Sequence, residues 1–394
     1  MQNSKLVSWF VGFNTVREFE SLAMTKYLLL FVFVVITGIL DILAQELPYP
    51  RSLVIPGIRI DWSTHQRHAV GSDNFHLTWA HDGHQYGIWG DGGGFAGSNS
   101  VYRVSFGVAR IEGDADSYRG FDRYGHKESS EHEALIRGKS WAILALKGRL
   151  YAWVHPDKPG GWGNWPDHHS ESRLYMSADL GASWHPASWS FTPDDGLCGG
   201  AILQYGKDYK GAGRYVYHYL AGHELYRDSA GNATSMMAPG NIYLLRVRGS
   251  RMMEREFWEF FAGMDRDKPV WSKEKEEKQP VFTDRNGVGT PMGISFSREL
   301  KRYLLTTEHT APESGMMGIF EAPEPWGPWA TVHYSGCHDW FGHDNSENVP
   351  ANCFFWCFPV KWMDPGGKAT MVFTGAGRGR NNDSFNSVRV EFLK

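Results

Sequence analysis

The sequence predicts an all-β protein, a β-propeller of about five four-stranded blades, and two observations predict it. Beyond residue 50 no long stretch keeps a helical hydrophobic period, whereas short alternating or aromatic-rich runs recur between clusters of Gly, Asp, Asn and Pro. The runs also come in sets. An apolar strand, a polar turn and a second strand start at Asp73, Gly138, Gly199, Pro291 and Asn352, and each set is followed by further strand material, as in VYRVSFGVARI or NIYLLRVRGS. Radial packing of such sets protects the sheet edges that an open sheet would expose. The spacing of about 55 to 70 residues exceeds that of common propeller repeats, so the connecting loops are long, and long loops carry function.

Composition agrees with this. Of 394 residues 14% are aromatic, with 17 Trp and 17 Tyr, and 45 are Gly, a mixture suited to short strands, tight turns and stacking surfaces. The net charge of -4 and the lack of a basic block exclude the electrostatic footprint of a nucleic-acid binder.

From Met24 the chain reads MTKYLLLFVFVVITGILDILAQ: Lys26, an apolar run from Tyr27 to Leu40, then Ala44 before Gln45. This is the layout of a secretory signal, and the run is shorter than the roughly 20 residues of a membrane span. We expect residues 1–44 to form an N-terminal extension and signal peptide and residues 45–394 to form a single propeller catalytic domain. The protein is then secreted, periplasmic or on the cell surface, a monomer without stable membrane insertion after cleavage.

Four cysteines, Cys198, Cys337, Cys353 and Cys357, fit an oxidising compartment but are too few for a disulfide framework. Cys337 and Cys353 are expected to be bridged or free; the alternative is a structural Zn²⁺ held with His338 and His343, although the spacing matches no common zinc motif. The cluster GRNNDSFN, residues 379–386, is a candidate for structural Ca²⁺ without EF-hand spacing. The metal ligands stay unknown.

In SADLGASW, Ser177, Asp179, Gly181 and Trp184 match the pattern S-x-D-x-G-x-x-W, the Asp-box, in which Asp caps turn amides and Trp packs between sheets. The motif resembles that of sialidase-like propellers and places a blade hairpin in the second set.

In a propeller the loops leading into the innermost strands and those joining second to third strands open on one face. Applied here, that funnel receives Asp73, Asp91, Arg137, Lys139, His155, Asn164, His168, His169, Tyr219, His223, Glu308, His309, Arg378, Arg380 and Asp383. Trp162, Trp165 and Trp340 lie in long Gly- or Asp-rich loops, where exposed rings suit stacking on sugars, while Trp326 and Trp329 are expected between blades.

The segments TWAHDGHQYGIWGDGGGF, GKSWAILALKGRLYAWV, LQYGKDYKGAGRYVYHY, YLLRVRG, EFFAG and IFEAPEPWGPW resemble a family of exported propeller proteins of the DUF4185 type, which is similar to ulvan lyases and endo-D-arabinanases. The resemblance runs from about residue 70 to the end and implies cleavage of an extracellular polysaccharide. The first expectation is β-elimination at a uronate. That resemblance implies His155 and His168 or His169 with Tyr219 as base and acid and Arg246 neutralising the carboxylate. The alternative is a glycoside hydrolase with paired carboxyl groups drawn from Asp73, Asp91, Glu308 and Asp383. Here the chain reads GDGGGF where such hydrolases commonly read GDT. Asp91, Lys139, Asn164, Trp165, His169, His223, His309 and Arg378 are expected to bind substrate. A non-catalytic carbohydrate-binding propeller is the third reading.

Overall fold

The computed structural model describes residues 47–124, 136, 138–156, 171–222, 240–289, 292–309, 316–335, 353–375 and 383–394. The first strand is β1 (Ile58–His68). Blade I follows as β2 (Asp73–Trp79), β3 (Gln85–Gly90), β4 (Gly107–Glu112) and β5 (Arg119–Tyr124). Blade II is β6 (Gly138–Leu146), β7 (Arg149–Pro156), β8 (Ser172–Ser177) and β9 (His185–Phe191). Blade III is β10 (Leu197–Ile202), β11 (Tyr215–Gly222), β12 (Asn241–Arg248), β13 (Glu259–Asp265), β14 (Lys268–Ser272) and β15 (Pro280–Thr283). Blade IV is β16 (Met292–Ser297), β17 (Arg302–His309), β18 (Met316–Ala322) and β19 (Ala330–Ser335). Blade V contains β20 (Cys353–Cys357), β21 (Lys368–Gly375) and β22 (Phe385–Phe392).

All pairings within the blades are antiparallel, and the inner strands β2, β6, β10, β16 and β20 touch in sequence, β20 returning to β2. The expected five-bladed propeller is the fold. Two features depart from a simple repeat. Blade V ends with β1, which pairs with β22 from Ile58 opposite Phe392 to His68 opposite Phe385, so the start of the domain closes the last blade. Blade III is enlarged: β12 pairs with β13 over one half and with β15 over the other, and β14 extends the sheet outward.

The alternation of inner-strand side chains explains the core. In β6 every residue is buried, and Ile143 and Ala145 join the cluster shared with blades I and V, while Ala142, Leu144 and Leu146 join that shared with blades III and IV. A strand with both faces covered therefore reads as a continuous apolar run, not as an alternation. Large rings fill the space between blades: Trp153, Trp189, Phe191 and Trp258 form one aromatic cluster, joined by His218.

Turn chemistry fixes the blade ends. Asp179 accepts from the Ser183 amide at 2.9 Å and hydroxyl at 2.6 Å, and Ser177 donates to it at 2.8 Å. Partial desolvation works against ionisation of Asp179, but these hydrogen bonds outweigh it and hold the carboxyl down at about 2. Trp184 then packs edge-on against Phe106 of the neighbouring blade, centroids 5.6 Å apart. As expected from sequence, Trp326 and Trp329 lie between blades, with Trp329 donating to the Val281 carbonyl at 2.9 Å and Trp326 packed near Tyr217 and Trp271.

Candidate functional site

The inner strands start at the end of the propeller where β2 opens with Asp73, which pairs with Gly90 at the close of β3. Just below that end, register breaks between Asp73 and His76 in β2, Ser140 and Ala142 in β6, Cys198 and Ala201 in β10, and Phe354 and Cys357 in β20. Bulges re-aim side chains, and here the breaks in β6 and β20 carry the rings of Trp141 and Phe355. Trp141 of blade II stacks on Phe355 of blade V, centroids 5.4 Å apart at 28°. Blades II and V are not neighbours, so this stack crosses the central channel. His155 meets Trp141 edge-on at 4.9 Å and His76 meets Phe355 edge-on at 5.0 Å. The funnel thus has an aromatic floor.

Charge gathers on that floor at blades I, II and V. The Asp91 carboxylate lies between two cations, the Lys139 ammonium and the Arg103 guanidinium, the latter at 3.1 Å. Asp73 lies on the same spot: a Cβ built on Gly90 would be 3.1 Å from Asp73 Oδ1, 3.3 Å from Asn74 Nδ2 and 3.5 Å from the Lys139 stem. Gly90 is therefore the gap that lets these three side chains meet. Asp383, in the loop from β21 to β22, is half-buried, and its carbonyl accepts from the Gly71 amide at 2.7 Å. Desolvation pushes the Asp383 carboxyl above the usual carboxylate range, with Arg103 and Lys139 pulling it back. Three carboxyl groups and two cations share one end of the molecule.

A second polar group faces the same end from blade IV. His309, fully buried at the close of β17, stacks on Tyr334, centroids 4.0 Å apart at 14°. The Tyr334 hydroxyl donates to Asp284 at 2.8 Å and accepts from Asn286 at 2.9 Å. Asp284 lies in the segment leading into β16, and burial raises its carboxyl pKa against the pull of the Asn286 amide, Tyr334 and Arg285. Glu308, next to His309, is almost wholly buried.

Of the residues expected from sequence, Asp73, Asp91, Lys139 and His155 meet at the funnel floor, and His309 lies on its blade IV side. His155 is buried opposite Lys139 in the β6–β7 ladder, its Nδ1 against the Glu171 carbonyl. Two expected catalytic residues do not join them. Tyr219 is 0% exposed in mid-β11, and its hydroxyl donates at 2.8 Å to the Pro325 carbonyl, in the β18–β19 turn at the opposite end of blade IV. Arg246 pairs with Tyr217, five residues before β11 reaches the funnel end at Gly222, roughly 17 Å away at about 3.3 Å per residue. Its guanidinium is bound to Glu259 at 2.6 Å and lies against Tyr215 and Trp271. In both cases the strands carrying YVYHY and LLRV extend well away from the funnel end, and the chemically suggestive residues fall in their interior.

Asn164, Trp165, His168, His169, His223 and Arg378 lie outside the described residues, as do Arg137, Trp162, Trp340, Arg380, Cys337, His338 and His343. Cys198 and Cys357 are buried free thiols, and the described residues hold no cluster of three or more metal-ligating side chains. Sequence reasoning missed Arg103, His76, Asp284 and Tyr334. The position of Arg103 in the loop between the second and third strands of blade I was the available signal.

No family model and no curated protein matches the chain. Among solved structures it is similar to a hydrolase described as putative from Bacteroides ovatus, with a TM-score of 0.50 at 10% identity over 82% of this chain and 87% of that one. It is also similar to the catalytic domain of a Coprinopsis cinerea GH62 α-L-arabinofuranosidase (TM-score 0.47, 9% identity, 87% of this chain and 96% of that one). A GH43_1 enzyme from Xanthomonas citri has a TM-score of 0.47 at 11% identity over 84% of this chain and 89% of that one. At 10% identity the likeness to the Bacteroides ovatus protein speaks for the fold alone, and chemistry has to be argued from the site.

Proposed function

We propose that this chain is a carbohydrate-active enzyme that hydrolyses glycosidic bonds of a polysaccharide outside the cytoplasm. The observation that carries the reading is the grouping of Asp73, Asp91 and Asp383 with Lys139 and Arg103 above an aromatic floor. Glycoside hydrolysis needs one carboxyl group that keeps its proton to protonate the leaving oxygen and one that is ionised to act as base or nucleophile. Asp383, raised by desolvation, is the general acid. Asp73 is the base or nucleophile, and Asp91, held by Lys139 and Arg103, organises the charge around it. Lys139 and Arg103 neutralise the Asp91 carboxylate, and Asp383 is the carboxyl group whose proton affinity burial raises.

The lyase reading loses its support with the distance of Tyr219 and Arg246 from the funnel, because an elimination at a uronate needs its acid and its carboxylate-neutralising cation beside the base. The resemblance to exported DUF4185-type propellers supports a polysaccharide substrate, and the apolar run from Tyr27 to Leu40 supports export. The test is incubation of the protein from Gln45 onward with arabinan, arabinoxylan, galactan and uronate-containing polysaccharides. New reducing ends without the ultraviolet absorbance of an unsaturated uronate, lost in Asp73→Asn and Asp383→Asn, are the expected result. Absorbance rising together with reducing ends would return the assignment to a lyase, and binding without either would make the protein a lectin.

A further inference from the structure

The inner strands β2, β6, β10, β16 and β20 run away from the funnel, so the turns that follow them lie at the opposite end of the propeller, and all of these turns are among the described residues. Two adjoining turns there concentrate positive charge. The β10–β11 loop, residues 203–214, carries Lys207, Lys210 and Arg214, and the β16–β17 turn, residues 298–301, carries Arg298 and Lys301. Their carboxylates are Asp208 and Glu299, and both are engaged elsewhere. Asp208 is buried and accepts from the Gly148 amide of blade II at 3.0 Å, and Glu299 lies 3.4 Å from the Lys394 ammonium. Among the described residues none of the five cations meets a carboxylate within ion-pair distance. In a chain of net charge -4 this is a local reversal of sign.

The two turns form one firmly tied surface. The Gln204 amide donates to the Ile294 carbonyl at 3.0 Å, the Phe296 amide donates to the Gln204 carbonyl at 2.9 Å, and Arg298 donates to the Lys210 carbonyl at 2.9 Å. Tyr205 stacks on Phe296 with centroids 4.5 Å apart at 8°, and Phe296 packs on Tyr303 at 4.8 Å. Asp208 and Tyr209 have successive φ of 52° and 58°, a left-handed pair that two non-glycine residues rarely adopt. Both of these side chains are buried, so the strained turn anchors itself through them, while Lys210, which follows, is exposed. Fixed like charges repel one another, and a bound polyanion would offset that repulsion.

We propose that this face, at the end of the propeller remote from the funnel, holds an acidic polysaccharide whose carboxylates lie against Lys210, Arg214, Arg298 and Lys301. The proposal goes beyond the hydrolase reading and rests on it only in taking a polysaccharide, among polyanions, as the partner. Each exposed charge pair is weak and screened by salt, but several on one chain act together. The face therefore tethers the enzyme to a charged polymer without selecting a bond in it, and the funnel is left free to cut.

Native gels containing polygalacturonate, neutral arabinan or duplex DNA, each corrected by a polymer-free gel, test this on the protein from Gln45 onward. The variants are Lys210→Gln/Arg214→Gln/Lys301→Gln and the charge-preserving Lys210→Arg/Arg214→Lys/Lys301→Arg. The expected result is retardation of wild type by polygalacturonate, weaker by roughly ten-fold or more in the Gln variant and kept in the charge-preserving one. Retardation should also fall steeply between about 50 and 200 mM salt, and arabinan should not distinguish the variants. Absence of retardation by polygalacturonate would overturn the proposal, as would equal retardation of wild type and the Gln variant, which would put the polymer elsewhere on the molecule. Retardation by DNA without retardation by polygalacturonate would overturn it in favour of a nucleic-acid partner. Failure to release reducing ends from any polymer would count against the hydrolase reading alone, because retardation by polygalacturonate does not depend on turnover.

Discussion

The ammonium of Lys139, the second residue of the inner strand of blade II, lies against the carboxylate of Asp91, the residue that follows the second strand of blade I. The pair joins two blades directly above the Trp141–Phe355 stack, and Arg103 completes it from the lip of blade I. Because both partners are largely withdrawn from water, removal of either leaves a charge without its counterpart. Lys139→Met should cost about 2 kcal/mol of stability, and combining it with Asp91→Asn should recover part of that loss. Denaturant melts of the two single variants and the double variant measure the coupling; strict additivity would mean that the pair contributes nothing.

Asp383 should show opposite effects on activity and stability. Its folded-state pKa is raised by desolvation, so the protonated form suits the folded protein, and that contribution is present in acid and lost as pH rises through the folded value. Asp383→Asn should then raise Tm near neutral pH while lowering kcat about a hundred- to ten-thousand-fold. Thermal melts across pH, run beside the assay, give both numbers. A lower Tm at neutral pH would contradict the assignment.

Two buried imidazoles set the acid limit. Burial lowers the His76 and His218 pKa values from 6.5 to about 3, so each must stay neutral in the folded state. His218 accepts from the Trp153 indole at 3.1 Å, which also requires a neutral ring. The stability they support is complete above 6.5 and lost as pH falls toward about 3, with a slope approaching about 1.4 kcal/mol per pH unit for each ring. Urea melts of His218→Gln between those limits should show a flatter pH dependence than wild type. An unchanged slope would reject the argument.

Trp141→Ala should open a cavity at the channel floor and lower stability by about 3–5 kcal/mol, because its ring is buried against Phe355 and His155. Trp141→Phe should recover most of the loss. Chemical denaturation at constant m-value distinguishes this from a change in the unfolded chain.

Removal of β1 should prevent folding. A chain starting at residue 70 keeps every strand of blades I to IV but leaves β22 with an open edge where Ile58 to His68 would pair. The expected outcome is aggregated protein, whereas a chain starting at residue 45 should be soluble by size-exclusion chromatography. A soluble, cooperatively melting product from residue 70 would show the closure to be dispensable.

The residues that pair as strands were legible because their signals are local. Alternation, turn residues and aromatic content identify DNFHLTW, GKSWAILAL and KATMVFTG as strands wherever they sit, and five sets of them imply a ring. The same logic set Asp73, Asp91 and Lys139 at strand ends, which is where the ladders have them. It failed for Tyr219, which was expected at a loop but lies inside the β11 ladder, and the resemblance that named Arg246 failed likewise, because Arg246 pairs with Tyr217 within the β11–β12 ladder. It also left the last blade a strand short, because β1 and β22 pair across more than 300 positions of the chain and no periodicity links them.

By itself, then, the sequence determined the strand content, the repeat number and the end of each blade at which polar groups collect, all consequences of near-neighbour patterning. Tertiary structure alone decided which of those groups meet. Two register breaks, in β6 and β20, turn Trp141 and Phe355 across the axis, and Gly90 leaves the space in which Asp73 and Lys139 converge. Such meetings depend on the angle between blades and on which side chain a bulge redirects, and those are set by packing over the whole ring rather than by any one stretch of chain.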